Sequence, residues 1–348
     1  MNVDPTETEQ ARALRDSVRA LLAKRSDVRA AMDSPLGYDD KLWSTLCEQI
    51  GVAALGIPEE YGGVGASIAE VCVVQEELGR TLTPTPMLGS AVLAAQALLA
   101  TGNAEACARL LPGIAAGTSI ATVAWTGEDG HWSPMRAALA ASDSTVDGRA
   151  HYVLDAGNAD VVLAPAATPD GVGLFEVTDA VQSPTPGMDP TRRFGVVDCV
   201  RAPAVRLDQG GFPLAHVRDL AVVALAAEQV GAAARALELT VEYTKQRKQF
   251  GRPIGGFQAL KHRMADVYAH VEAARSALYA AILADDADLR EAAATARVVC
   301  TEALEHATAE MIQLHGGIAI TWEHDAHLYF KRAHGTARLF GPAAVYLG

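Results

Sequence analysis

Positive charge is scarce in this sequence: 29 Lys and Arg stand against 42 Asp and Glu, for a formal net charge of −13. Without a basic tail or stripe the chain lacks the electrostatic footprint of a nucleic-acid binder. Aromatic residues make up only 5%, and the alanine-rich background in their place favours packed helices over sandwiches. The few cysteines, Cys47, Cys72, Cys107, Cys199 and Cys300, never form a CxxC pair. Reduced, mostly buried thiols are expected, with neither a disulfide framework nor a zinc site. No apolar run reads as long enough to span a bilayer. The opening MNVDPTETEQ is polar and acidic, unlike a secretory signal or an Arg-rich transit peptide, which points to the cytoplasm. Internal repeats, charge blocks and low-complexity tracts are missing as well.

What remains is a chain of 348 residues, 50% hydrophobic, long enough for two or three domains that share buried interfaces. Residues 1–118 read as helical, with amphipathic patterns at Thr6–Ala23 and Asp39–Ile50 and further helices at Ile68–Leu78, Met87–Ala100 and Glu105–Ala116. A Gly- and Pro-rich turn falls at Ile57–Ala66. Residues 119–208 change to short β-prone runs at Ile120–Trp125, Ala137–Ala141, His151–Asp155, Val161–Ala166, Val172–Val177 and Val196–Leu207. Their spacing suits a small β-barrel or sandwich. From residue 209 to the end the helical pattern returns, so the fold class is α+β in the order helices, strands, helices.

The chain is organised around KQRKQFGRPIGGFQALKHRMAD, Lys245–Asp266. Before it, Asp219–Thr244 carries apolar residues at helical spacing; after it, Phe257–Leu283 does the same. Gly251, Pro253, Gly255 and Gly256 break the two helices apart, and Lys245, Arg247, Lys248 and Arg252 crowd the break. Guanidinium forks and a helix N-terminus suit an anion; a solvated turn capped by cations suits the same residues.

This run resembles the signature of acyl-CoA dehydrogenases, flavoenzymes that oxidise the Cα–Cβ bond of acyl thioesters. PEEYGGVG (Pro58–Gly65), EELGR (Glu76–Arg80) and QLHGGIAIT (Gln313–Thr321) resemble further stretches of that family in the same order. The resemblance implies an N-terminal helical domain over 1–118, a middle β-barrel or sandwich over 119–208 and a C-terminal four-helix bundle over 209–348. It implies FAD as cofactor, an acyl-CoA substrate and an electron-transfer acceptor protein. In the family each flavin lies between two subunits, so each chain has a face that receives its own flavin and a face that it lends to a neighbour's.

By that resemblance the lending face is complete: Arg247, Phe250, Gln258, Gln313, Gly316 and Gly317 stand where the family grips the dinucleotide. The receiving face is eroded. TGEDGHW keeps Thr126 but has Trp132 near the family's flavin-contacting Ser, and Tyr152-Val153-Leu154-Asp155 has lost the hydroxyl of the family's WITN strand. Phe340 stands at the usual Glu of the YEG segment, and Phe has no proton-accepting group. The alternative base position is Ala221, followed by Val222; Asp219, two residues earlier, is the weak substitute, and its ordinary role is an N-cap. Glu323 and Asp325 are poorly placed acids, and Glu302, Glu305 and Glu310 form a solvated helix face. His315, His324, His327 and His334 read as core or solvated side chains, with no metal site.

Three readings follow. The chain is the base-lacking subunit of a heteromeric enzyme, similar to the α2β2 dehydrogenases of actinobacterial steroid side-chain degradation. Alternatively it is a self-sufficient homo-oligomer with a displaced base, or a non-catalytic scaffold of the same fold.

Overall fold

The computed structural model describes residues 8–133 and 136–346. The N-terminal helices are α1 (Glu9–Arg25), α2 (Val28–Asp33), α3 (Asp40–Ile50), α4 (Ile68–Thr81), α5 (Ala95–Leu99) and α6 (Ala104–Ala115). Thr6 and Glu7, expected to open the first helix, lie outside the described residues. A π-helical stretch, Met87–Ala94, leads into α5 and is buried at every position. Each start has a local cause. Thr8, Asp27, Asp39 and Asn103 accept N–H groups of the first turns of α1, α2, α3 and α6, and Ser67 with Glu70 forms a capping box on α4.

The strands are β1 (Ala121–Val123), β2 (Leu139–Ser142), β3 (Thr145–Leu154), β4 (Val161–Thr168), β5 (Gly171–Val177), β6 (Val181–Thr185) and β7 (Phe194–Arg206). β4 pairs with β2, β2 with β3, β3 with β7, β7 with β5, and β5 with β4 again. The sheet therefore closes on itself, with β1 and β6 attached outside the ring. Apolar side chains fill its interior, among them Val146, Ala150, Val162, Ala164, Phe175 and Val197.

Four helices follow: α7 (Leu214–Gln246), α8 (Gln258–Leu283), α9 (Leu289–His315) and α10 (Ala326–Thr336). α7 packs against α4, α8 and α9 and is the central rod of the molecule. On length and composition it could cross a membrane, contrary to the sequence expectation; its most apolar 18 residues are 83% buried inside the molecule, as befits a core helix. Two glycines set the crossing with α4. A Cβ on Gly231 would fall 1.9 Å from the Glu76 carbonyl oxygen, and one on Gly79 would fall 2.1 Å from that of Glu228. The backbones are in direct contact, and no other residue fits either place.

Charge is buried where the layers meet. Glu76 receives Arg15 at 2.9 Å and Arg275 at 2.7 Å, tying α1, α4 and α8 together. Arg332 of α10 donates to Asp189 at 2.7 Å, to Glu228 at 2.8 Å and to the Thr191 carbonyl at 3.0 Å, so one guanidinium fastens α10, α7 and the strand-connecting loop. All five cysteines are buried and unpaired.

Candidate functional site

α7 ends where Arg247 leaves the helical region, although its N–H still reaches the Tyr243 carbonyl at 2.8 Å. Lys248–Gln249 then pairs antiparallel with Arg252–Pro253, a hairpin that periodicity did not disclose. Its tip is Phe250–Gly251, both at positive φ, 51° and 77°. Phe250 is 91% exposed and lies edge-on to Phe257 at 6.1 Å, while Arg252 sits 4.0 Å over the Phe257 ring. The Arg247 side chain is exposed, with no carboxylate paired to it among the described residues. Gln258 is exposed at the first position of α8, where helix N–H groups are free.

α9 ends at Gly316, whose φ of 65° ends the helical path. Gln313 is exposed one turn earlier. Gly317 has no positive φ, and nothing lies within 4 Å of where its Cβ would be. The packing of this chain therefore gives no reason for glycine there; the open backbone leaves space for something outside the chain. Tyr243 joins the two ends: its hydroxyl donates to the His315 carbonyl at 3.2 Å, and its ring stacks on His315 at 4.3 Å. The structure thus brings the Arg247–Phe250 hairpin and the Gln313–Gly317 turn to one end of the bundle.

Tyr243 and His315 were missed as parts of this end, although an aromatic four residues before Arg247 is the signal that could have found the first. His315 donates Nδ1–H to the Met311 carbonyl at 2.8 Å, in the tautomer that bond requires, and its ring lies tilted against His324, centroids 4.5 Å apart. Burial, then the neighbouring His324, pushes its pKa down. His327 packs on Trp322 and His334 on Phe330, and no group of three His, Cys, Asp or Glu is placed to hold a metal among the described residues. Glu323 is exposed, and Asp325 is paired to Arg29 at 2.6 Å. The three glutamates differ from the expected solvated face: Glu302 is exposed, but Glu310 bridges to Arg263 at 2.5 Å because α8 packs alongside.

At the other end lies the half that the resemblance expects to receive the flavin, beside an open cleft of about 470 Å³ lined in part by Trp132, Tyr152 and Leu339. Thr126 is 1% exposed and donates its hydroxyl to the His131 carbonyl at 2.9 Å. That hydroxyl, expected from the resemblance at the cofactor, has its donor engaged within the chain. Leu154 is buried and puts no hydroxyl in its place. Trp132, 5% exposed, packs edge-on between Trp125 at 5.4 Å and Phe340 at 5.0 Å. Phe340 has no exposed surface and sits at φ 60°. The turn is clamped by Arg297, itself fully buried, which donates to the carbonyls of Thr336, Leu339 and Gly341 at 3.0, 2.9 and 2.8 Å.

Asp219 is not an N-cap, since α7 begins at Leu214 and places it in the second turn. It is buried and receives Arg218 at 3.0 Å. Burial raises its pKa and Arg218 opposes the rise. Arg218 in turn lies 5.0 Å over the Tyr346 ring. Ala221 and Val222 are core residues.

Comparison with known proteins agrees with this architecture. The profile of the acyl-CoA dehydrogenase N-terminal domain matches residues 8–118, and that of the C-terminal domain matches residues 216–348. The acyl-CoA dehydrogenase IpdE2 of Mycolicibacterium smegmatis is 45% identical over 338 residues, 96% of each chain. Among solved structures, the ChsE4–ChsE5 complex from Mycobacterium tuberculosis superposes with a TM-score of 0.90 at 29% identity, covering 99% of this chain and 97% of that one. A variant of the Tcur3481–Tcur3483 steroid acyl-CoA dehydrogenase superposes with a TM-score of 0.87 at 30% identity, covering 97% and 96%. With both terminal domains matched and a relative of this similarity along nearly its whole length, the chain belongs to the acyl-CoA dehydrogenase family.

Proposed function

We propose that this chain is the base-lacking subunit of a heteromeric, FAD-dependent acyl-CoA dehydrogenase, paired with a paralogous subunit as α2β2 in the cytoplasm. The single observation that carries the reading is Phe340: the position that bears the family's carboxylate holds a fully buried benzyl ring. The substrate class would be a bulky, steroid-derived acyl-CoA thioester desaturated at Cα–Cβ, with an electron-transfer protein as acceptor. Relatives named as steroid acyl-CoA dehydrogenases and as a two-protein complex support that choice.

FAD fits one half of this chain and not the other. At the lending end, an unpaired guanidinium, a free helix start and the open Gly316–Gly317 backbone offer donors without a steric barrier. At the receiving end, Thr126 has its donor engaged within the chain, Leu154 is apolar and Trp132 offers no hydroxyl. When bound, the flavin supplies the acceptor for the β-hydride. Arg247 would hold the pyrophosphate by charge-assisted hydrogen bonds, with Gln258 and Gln313 orienting the dinucleotide. Phe250 would cover it from the hairpin tip. The α-proton would go to a Glu carried by the partner, since among the described residues no carboxylate stands free at Phe340.

Asp219 does not support a self-sufficient enzyme: it is enclosed with Arg218 beneath the C-terminal turn. Co-expression with a paralogue bearing Glu at the Phe340 position tests the proposal. Flavin content and dye-coupled turnover should appear only in the mixed complex. A flavin-loaded, fully active homo-oligomer of this chain would refute it, and a colourless, inactive mixed complex would favour a scaffold.

A further inference from the structure

A second pocket, of about 540 Å³, opens where the N-terminal helices meet the β ring, within the size range of sites that enclose small molecules. It shares no lining residue with the segments that would lend or receive a flavin. Asp40, Ser44 and Glu48 of α3 form one wall; spaced four residues apart, they share one face of the helix. Gly117 and Thr118, which follow α6, form the second wall, and residues 157–160, just before β4, form the third. Lys, Arg and His are missing from the lining. The side chains of Asp40, Glu48 and Asp160 are exposed there and have no cationic partner among the described residues.

Donors around this pocket are spent inside the chain. The Trp43 indole N–H goes to the Gly117 carbonyl at 3.1 Å, the Ser44 hydroxyl to the Asp40 carbonyl at 2.9 Å, the Thr118 hydroxyl to the Gly113 carbonyl at 3.3 Å and the Asn158 amide to the Leu36 carbonyl at 2.6 Å. Tyr38 is the exception. It lines the pocket, is only 6% exposed, and its hydroxyl has no hydrogen-bond partner among the described residues. Burial, and next the carboxylates of Asp40, Asp155 and Asp160, push its pKa up to about 12, so a neutral hydroxyl faces acids. A polar group this enclosed ordinarily has a partner. The carboxylates do not converge on a point: among the described residues no group of three His, Cys, Asp or Glu is placed to hold a metal. Asp40 and Glu48 lie eight residues apart on α3, about 12 Å along the helix axis. Negative charge spread in this way fits a cation whose charges are spread as well. Ammonium groups suit it further, since they only donate.

We propose that this pocket binds a linear aliphatic polyamine of the spermidine class. Its ammonium groups are shared among Asp40, Glu48 and Asp160, and one of them donates to the Tyr38 hydroxyl.

The test is a calorimetric titration of the full-length chain with spermidine at about 0.15 M ionic strength, where diffuse surface attraction is largely screened. Saturable binding of one spermidine per chain is expected. Magnesium and the short diamine ethylenediamine, which cannot bridge the two carboxylates of α3, should bind roughly tenfold more weakly or not at all. Glu48→Gln should weaken spermidine roughly fivefold or more, and Tyr38→Phe roughly threefold or more. Neither the Glu48 carboxylate nor the Tyr38 hydroxyl holds another group among the described residues, so both variants should keep the wild-type melting temperature. Glu302→Gln removes the same charge from an exposed position on α9, outside the pocket, and should leave the affinity unchanged. Absence of saturable binding would overturn the proposal, as would affinity unchanged in both Glu48→Gln and Tyr38→Phe. Equal weakening by Glu302→Gln and Glu48→Gln would reduce the effect to the net charge of the chain and overturn it too, and magnesium binding as tightly as spermidine would do the same.

Discussion

Phe340 is the position at which structure and chemistry can be separated by experiment. Its ring is fully buried, edge-on to Trp132 at 5.0 Å. Its carbonyl accepts the Tyr346 hydroxyl at 2.6 Å, and Arg297 clamps the carbonyls on either side. Truncation to Ala removes a core aromatic and should cost about 3–5 kcal/mol. Phe340→Leu keeps most of the apolar volume and should cost about 1.5 kcal/mol or less. Phe340→Glu puts a carboxyl into an apolar site, where burial raises its pKa and leaves it protonated at neutral pH; an unpartnered polar group there should cost about 1–3 kcal/mol. Urea unfolding gives these differences, and dye-coupled turnover per bound flavin in the mixed complex gives the chemistry. The expected result is that Phe340→Leu lowers the unfolding midpoint and leaves turnover per flavin unchanged. Phe340→Glu should add neither flavin nor activity, because Trp132 and Leu154 still put no hydroxyl where the family contacts its flavin. A loss of turnover in Phe340→Leu at full flavin content would place the ring in the reaction. A doubling of flavin and activity in Phe340→Glu would show that the half-site lacked only its base.

Arg332→Met leaves Glu228 with Arg192 alone and Asp189 without its buried partner, so a loss of about 3–5 kcal/mol is expected from urea unfolding at neutral pH. Burial works against the Glu228 carboxylate, but Arg192 and Arg332 outweigh it and hold the pKa below the usual range. The stability it contributes is therefore present above the unfolded carboxylate pKa and fades as pH falls below it; the cost of Arg332→Met should shrink in acid, and a pH-independent cost would contradict this. Asp155 has the opposite sign: burial pushes it up to about 7 against the pull of Arg192. Asp155→Asn should stabilise the protein at pH 8, by up to a few kcal/mol (about 1.4 per pKa unit), with the gain vanishing below pH ~4; equal unfolding midpoints at pH 8 would refute the assignment. Arg247→Ala and Gly317→Ala touch nothing in this chain that holds it together, so both should melt within about 0.5 kcal/mol of wild type. In the mixed complex Arg247→Ala should weaken flavin retention roughly tenfold or more, through lost bonds worth about 1.5–3 kcal/mol, and flavin retained at wild-type strength would count against the lending face.

Much of this was readable in advance because helices of regular amphipathic pattern and strands bounded by turn residues announce themselves. What could not be read had physical causes. The helix expected over Met87–Ala100 starts as a π-helical stretch, Met87–Ala94, and because it is buried all round no polar face marks the change of period. β6, VQSPT, is an exposed outer strand paired only to β7, and its composition reads as a loop. The first half of β3 carries Gly148 and a register shift, which interrupt its alternation. Closure of the ring depends on β4 meeting both β2 and β5, a non-local choice that local patterns do not carry. Arg297 sits in an alanine-rich helix, and its isolation on an apolar stripe was the available hint.

Glycine shows where sequence and structure divide the work. Gly79, Gly231 and Gly317 look alike in a string of letters. For Gly79 and Gly231 the structure supplies an internal cause, a neighbouring backbone closer than any side chain allows. For Gly317 it supplies none: the backbone is unstrained and the surroundings are empty. Under the proposed function that open backbone is where the shared cofactor approaches. The same reasoning applies in reverse to Phe340, where packing alone accounts for the ring and no outside ligand is needed to explain it. Under the proposed function the two positions point in opposite directions, outward to a shared cofactor and inward to the protein core, and their substitution should affect opposite observables: flavin retention without stability for Gly317, and stability without turnover for Phe340.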